Sequence, residues 1–416
     1  MSFSSSLQIL KHKEFRWFIC ARFFLTLAIQ MQMSTIALQI YYEYTKDELM
    51  LGILGLTEAL PFIITSFFSG YLADIVSRKK IIVFACLGLL IGSLVLLGFS
   101  TSVLEWLHGF GMSALFAVVF VFGILRSFLA ASIVPFLSQV IPREQYTQSA
   151  TWNSTAWQIG AVLGPVFAGI IYGYNSTLNA QWCYAFTCVL FLMALVFYSL
   201  IGARPIPKKT KEESFIESMT VGVKFVFNNK LVLSALSLDL FAVLFGGAVA
   251  LIPPFTDKVL HLGPEFYGLL RTAPAIGAVL MAFYLAFNEP KKHAGKSLLI
   301  AVALFGVFTI LFALSTTFWM AFAMLLLTGA FDNISVVVRH SILQLATPDE
   351  MRGRVSAVDS IFIGSSNEIG AFESGFAARA LGLIPSIIFG GTMTILVVLG
   401  INKLNPDLKK LDLSKV

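Results

Sequence analysis

The sequence predicts an all-α integral membrane protein: twelve transmembrane helices in two pseudo-symmetric bundles of six, with both termini in the cytoplasm. Three observations carry this. Of 416 residues, 57% are hydrophobic and only 12% charged, about half the charged share of a typical soluble domain. Twelve apolar windows, each near the roughly 20 residues that cross a bilayer, fill the chain between its charges. The basic residues, finally, are dense on one side of those windows and sparse on the other. So much membrane leaves no stretch for a soluble catalytic domain.

The first six windows fall at 16–41, 50–73, 80–100, 113–138, 149–173 and 182–203. The second six follow at 231–254, 265–287, 296–315, 318–345, 354–380 and 384–402. The first window comes after Lys11, Lys13 and Arg16 and has no small-residue cleavage site behind a short core, so it is an uncleaved span. Of the 29 Lys and Arg, twenty-two lie on one predicted side, two (Lys46 and Lys258) on the other, and five inside spans or near their ends. An odd number of spans would scramble that asymmetry, which puts both termini inside. Trp106, Trp182, Trp319 and Tyr41 mark the outer boundary as an aromatic belt.

The longest polar interruption, 204–230, places Phe215, Met219, Val223 and Phe227 four apart, the spacing of an amphipathic helix lying on the cytoplasmic face. It divides the chain into a bundle at 1–203, this linker, a bundle at 231–403 and a tail at 404–416. The halves repeat each other. A shift of 206 aligns Gly123 with Gly329, Pro142 with Pro348, Glu144 with Glu350, Gly164 with Gly370 and Gly169 with Gly375. Duplicated six-span halves around a central loop describe a rocking transporter with its site between the halves near the midplane.

Other chemistries find no support. The four Cys sit in apolar stretches without a CxxC pair, the five His form no ligand spacing, and no phosphate-cradling loop occurs. Neither an enzyme, a metal site nor a bound cofactor is expected. The net charge of +6 is explained by its placement beside the spans, not by nucleic acid.

The loop after the second window reads Gly70-Tyr-Leu-Ala-Asp74, then Arg78, Lys79 and Lys80. It resembles the signature loop of the major facilitator superfamily, which implies a conformational latch of Gly70, Asp74 and Arg78 with Asp74 and Arg78 one turn apart. The second-half counterpart, Phe283 to Lys296, keeps Lys291 and Lys292 without the Asp. Gly160, Gly164, Pro165 and Gly169 in the fifth window resemble the antiporter motif of exporters in the same superfamily, with Ala168 at a usual Gly. The run from Thr347 through Arg352 and Arg354, continuing to Asn367, Glu368, Glu373 and Gly375, resembles the branch that contains the bacterial enterobactin exporter and related efflux proteins.

An ionisable side chain at mid-bilayer costs about 3 kcal/mol or more unless paired or wetted, so each is a functional candidate. The family resemblance implies that spans one, four, seven and ten line the cavity, which selects Arg22, Arg126, Asp239, Asp332 and Arg339. Asp332 and Arg339 lie two turns apart, about 10 Å along one face, and could bracket a zwitterionic or anionic ligand. For proton coupling the candidates are Asp332 and Glu368, then Glu58 and Glu373, with Asp239 beside them. Arg271 and Arg379 read as snorkelling groups near the outer interface.

Together these imply a monomeric transporter in a bacterial cytoplasmic membrane, exporting an amphiphilic small molecule such as a siderophore or drug in exchange for protons, with the proton gradient as energy source. The rivals are a lysophospholipid flippase or uncoupled facilitator and, from another class, a non-transporting receptor or scaffold.

Overall fold

The computed structural model describes residues 9–104, 106, 109–142, 145–174, 180–205, 215–288, 292–348 and 351–412. Among them run fourteen α-helices and no strand. In the first half these are α1 (Lys13–Gln39), α2 (Glu48–Ile75), α3 (Arg78–Ser100), α4 (Met112–Val140), α5 (Tyr146–Tyr172) and α6 (Ala180–Leu200). Helix α7 (Phe215–Asn228) follows. The second half holds α8 (Lys230–Gly246), α9 (Ile252–Lys258), α10 (Pro264–Phe287), α11 (Ala294–Ala313), α12 (Phe318–Ala346), α13 (Arg352–Leu381) and α14 (Leu383–Leu404).

Eleven stretches among the described residues are long and apolar enough to cross a membrane, with α8 and α9 counted as one. The twelfth predicted span is α13. Its 30 residues reach about 45 Å, ample for crossing, but Asp359, Glu368, Glu373 and many Ser and Gly dilute its apolar character. Ionisable side chains within a span face protein or water, as Asp359 does against Arg339.

Side chains cap several helix starts: Asp47 accepts from the backbone N–H of Leu49 (3.0 Å), Asn229 from those of Leu231 (3.1 Å) and Val232 (3.2 Å), and Thr317 from that of Met320 (3.4 Å). Pro61, Pro135, Pro165 and Pro274 sit inside helices. Hydroxyls near two of them bond back to the helix, Thr65 donating to Pro61 O at 2.6 Å and Ser138 to Pro135 O at 2.8 Å. Helix α1 ends in one π-helical turn, Ile40–Tyr44.

The chain forms two compact units. One comprises residues 1–45, 57–212 and 263–269; the other 46–56, 213–262 and 270–416. In the first, α1 packs on α5 and α6, and α3 on α4 and α6. In the second, α8 packs on α13 and α14, and α11 on α12 and α14. The pairing scheme is the same in both, the three-dimensional form of the sequence repeat. Phe18 anchors the first core, meeting the Tyr198 ring edge-on at 5.9 Å and the Phe136 ring at 6.3 Å. Leu238, Leu298, Val302, Val338 and Ile342 build the second.

Helix α7 buries a different edge from the expected apolar stripe. Val226 is buried with Val232, Leu236, Val355 and Val358, and Gly222 abuts the backbone of Arg354. Val223 and Phe227, two of the expected apolar stripe, are exposed. Phe215 and Met219 lie outside the residues whose side chains are described. Packing took the Gly222–Val226 edge because the missing Cβ lets the helix approach α13.

Candidate functional site: charged groups inside the two units

In the first unit, Glu58 of α2 and Arg126 of α4 form an ion pair, with the carboxylate 8% and the guanidinium 31% exposed. Glycine sets the approach: Gly123, one turn before Arg126, lies against the Glu58 carbonyl and the Pro61 ring. The asymmetry in exposure sets the effect of breaking the pair. Glu58→Gln leaves a half-wetted guanidinium and should cost under about 1 kcal/mol, whereas Arg126→Gln strands a buried carboxylate at about 1–3 kcal/mol. Thermal unfolding in detergent should rank Arg126→Gln as the more damaging; equal losses would contradict the pairing.

Arg22 of α1 is half-buried and lies beside Tyr198; among the described residues neither its Nε nor the Tyr198 hydroxyl has a hydrogen-bond partner. At the far end of α1, a network unmarked by any sequence motif surrounds the π turn. Tyr172 donates to Glu43 Oε1 (2.7 Å), Gln39 to Glu43 Oε2 (2.9 Å) and Tyr184 to Gln39 Oε1 (2.7 Å). Isolated Gln and Tyr in apolar windows carry no spacing that would announce it.

The signature loop is held chiefly through Arg78. Its Nε donates to Ala73 O (3.2 Å) and its Nη1 to Pro135 O (3.3 Å), while the approach to Asp74 is longer, 3.5 Å, with Asp74 58% exposed. Lys79 donates to the carbonyls of Ser199 (2.8 Å) and Ile201 at the end of α6, the negative pole of that helix. Gly70 belongs to the last turns of α2. The antiporter-like motif is a packing seam. Gly160 and Gly164 press α5 against the α1 backbone at Phe23, Leu27 and Met31, and Gly169 presses it against Pro264 and Gly268, with Pro165 between them.

In the second unit, Arg339 of α12 donates to Asp239 of α8 (2.7 Å) and to Asp359 of α13 (3.0 Å). All three are buried, at 2%, 5% and 4% exposure. Two of the five expected cavity residues are thus joined to each other and to Asp359, a carboxylate outside that selection. Its one sequence signal was a charge inside a predicted span. Asp332, two turns before Arg339 on α12, has Asp239 and Arg339 as its charged neighbours. Arg339 is committed to its two aspartates, so in this arrangement it does not bracket a ligand together with Asp332. Glu373 is half-buried on α13, and Glu368 lies outside the residues whose side chains are described.

The basic residues that broke the charge asymmetry have acidic partners. Lys46 pairs with Asp257 at 2.6 Å, Lys258 with Glu48 at 2.5 Å and Arg379 with Asp47 at 2.9 Å, all within the second unit. Arg379 therefore ties α13 to the head of α2, where the sequence suggested only snorkelling. Among the described residues no group of His, Cys, Asp and Glu is arranged to hold a metal ion.

Comparison with known proteins agrees with this architecture. The family model of the Major Facilitator Superfamily matches residues 18–292, more than half the chain. The enterobactin exporter EntS of Salmonella choleraesuis (strain SC-B67) is 23% identical over 95% of this chain and 94% of its own length. The multidrug resistance protein MdtG of Salmonella paratyphi C (strain RKS4594) is 25% identical over 79% of this chain and 80% of its own. Among solved structures, the nucleoside transporter NupG superposes with a TM-score of 0.75 at 12% identity, covering 94% of this chain and 99% of that one. Buried ion pairs, glycine seams and a duplicated helix-pairing scheme are the parts of a multi-pass secondary transporter of small molecules, and the chain belongs to the major facilitator superfamily.

Proposed function

We propose that the protein is a proton-coupled exporter of an amphiphilic small molecule, a siderophore or drug, working by alternating access in a bacterial cytoplasmic membrane with both termini inside. Its functional parts in this reading are the bundles 1–203 and 231–403, the linker 204–230 and the tail 404–416. The observation that carries the reading is the acidic excess inside the second unit. Asp239 and Asp359 are bonded to one guanidinium, Arg339, and Asp332, two turns before it on α12, is within electrostatic reach of Asp239 and Arg339. Uncompensated negative charge in a low-dielectric interior is unfavourable, and a proton or a cationic group of the substrate would neutralise it. That is the behaviour an exchanger needs at one site. The relatives' names, an enterobactin exporter and a multidrug resistance protein, support export and the substrate class.

Asp332 is the first coupling candidate, because Asp239 and Asp359 are held by Arg339. Glu368, Glu58 and Glu373 follow. The substrate path in this reading runs past Arg22, Arg126, Asp239, Asp332 and Arg339. The test is probe-triggered proton release from acidified everted vesicles, with enterobactin, ethidium and lysophosphatidylglycerol as probes. Release by wild-type protein that falls at least tenfold in Asp332→Asn supports antiport. Silence for every probe, with lysophosphatidylglycerol still moving without a gradient, would replace it by an uncoupled flippase.

A further inference from the structure

The two units carry the same ion-pair position with the charges exchanged. Tyr71, Leu72 and Ala73 recur as Tyr284, Leu285 and Ala286, a shift of 213 that places Pro61 on Pro274 and Glu58 on Arg271. For α4 and α12 the shift is 206, which places Gly123 on Gly329 and Arg126 on Asp332. In both units the glycine packs on the proline-bearing helix, Gly123 at Glu58 and Pro61 in the first and Gly329 about one turn further along, at Pro274, in the second. In each unit the charged residues stand one turn before the proline and one turn after the glycine. The first unit has acid on α2 and base on α4, paired. The second has base on α10 and acid on α12.

Exchanging the sign at one position alone would set like charges together. Exchanging both retains attraction, which is the signature of two residues that meet. An arginine that merely snorkelled would have no reason to match its counterpart on α12. Among the described residues no ion pair joins Arg271 to Asp332 in this conformation. Along the helices the two positions stand about 9 Å apart, two turns less a residue. Asp332 is a methylene shorter than the glutamate used in the first unit, so closing this pair takes a shift of α10 along α12 of about one turn. Arg339 is held by Asp239 and Asp359, which leaves Arg271 to serve Asp332.

We propose that Arg271 is the counter-ion of Asp332 during transport, a charge-inverted counterpart of Glu58–Arg126 that closes when Asp332 is empty and opens when Asp332 takes a proton or a cationic group of the substrate. This rests on the reading of Asp332 as the coupling carboxylate. Arg271 is then a positioning residue, acting through Asp332.

The test is proton release from everted vesicles triggered by enterobactin or ethidium, with folded protein confirmed by gel filtration. Arg271→Gln should lower release at least tenfold, and Arg271→Lys should keep at least half. Arg271→Glu and Asp332→Arg should each abolish it, and the double variant should recover to at least a tenth of wild-type release. Unchanged release in Arg271→Gln, or a folded double variant as inactive as both single ones, overturns the pairing. If Asp332→Asn alone retains full gradient-dependent release, the coupling assignment itself has failed, a result separable from loss of the pair.

Discussion

Replacing Arg339 with alanine should remove about 3–5 kcal/mol of stability, among the largest losses any single substitution in this chain would produce. The guanidinium is 2% exposed and bonded to Asp239 and Asp359 at 2.7 and 3.0 Å. Its loss leaves two carboxylates facing one another in a medium that solvates neither, the situation in which breaking a buried pair is most costly. Three helices, α8, α12 and α13, lose their common tie. Asp239→Asn and Asp359→Asn should each be far milder, about 1–2 kcal/mol, because the arginine keeps the other partner and an amide still accepts its hydrogen bond. Adding Asp239→Asn to Arg339→Ala should recover part of the loss by removing one stranded charge, a strongly non-additive cycle. The measurement is the thermal midpoint in detergent together with the yield of monodisperse protein. A midpoint for Arg339→Ala close to that of Asp359→Asn would mean that the triad does not hold the second unit together.

That triad shows where sequence reading stops. Helix existence, order and length were legible because a bilayer imposes one period and one length on every span. The predicted windows differ from the observed helices by a few residues, mostly where a helix continues into the polar border, as α1 does to Lys13 and α2 to Glu48. The repeat was legible through Gly123 and Gly329, since close helix crossings tolerate few residue types. Charges inside spans were legible as anomalies, but partners were not. Arg339 and Asp239 lie 100 residues apart and Asp359 another 20 from Arg339, and no periodicity links three different helices. The Glu43 network was invisible for the same reason, being built mostly of neutral Gln and Tyr. The outer pairs were half visible: Lys46, Lys258 and Arg379 stood out as exceptions, while Asp47, Glu48 and Asp257 looked like ordinary loop acids.

Gly329→Val should disable the second unit nearly as thoroughly as loss of Arg339, through volume instead of charge. A Cβ at this position would fall on the backbone of Pro274, and a kinked helix that has already lost one hydrogen bond to proline has little freedom to retreat. Overpacking a close-packed crossing costs about 1–3 kcal/mol for added methyl or methylene groups. Valine adds three carbons against a wall of main chain, so the upper end is expected, with Gly329→Ala at the lower. Gly123→Val should behave alike in the first unit, since Gly123 meets Glu58 and Pro61 in the same way; there the substitution would also prise apart the Glu58–Arg126 pair one turn away. Gly400→Ala is the matched control, since among the described residues nothing lies within 4 Å of its added Cβ, and its midpoint should stay within a degree or two of wild type. The graded order Gly400→Ala, Gly329→Ala, Gly329→Val in thermal midpoint would establish that helix approach, not helix propensity, selects glycine at 329. A Gly329→Val midpoint equal to that of Gly400→Ala would instead mean that α10 and α12 separate freely, and the crossing that registers Arg271 against Asp332 would lose its physical basis.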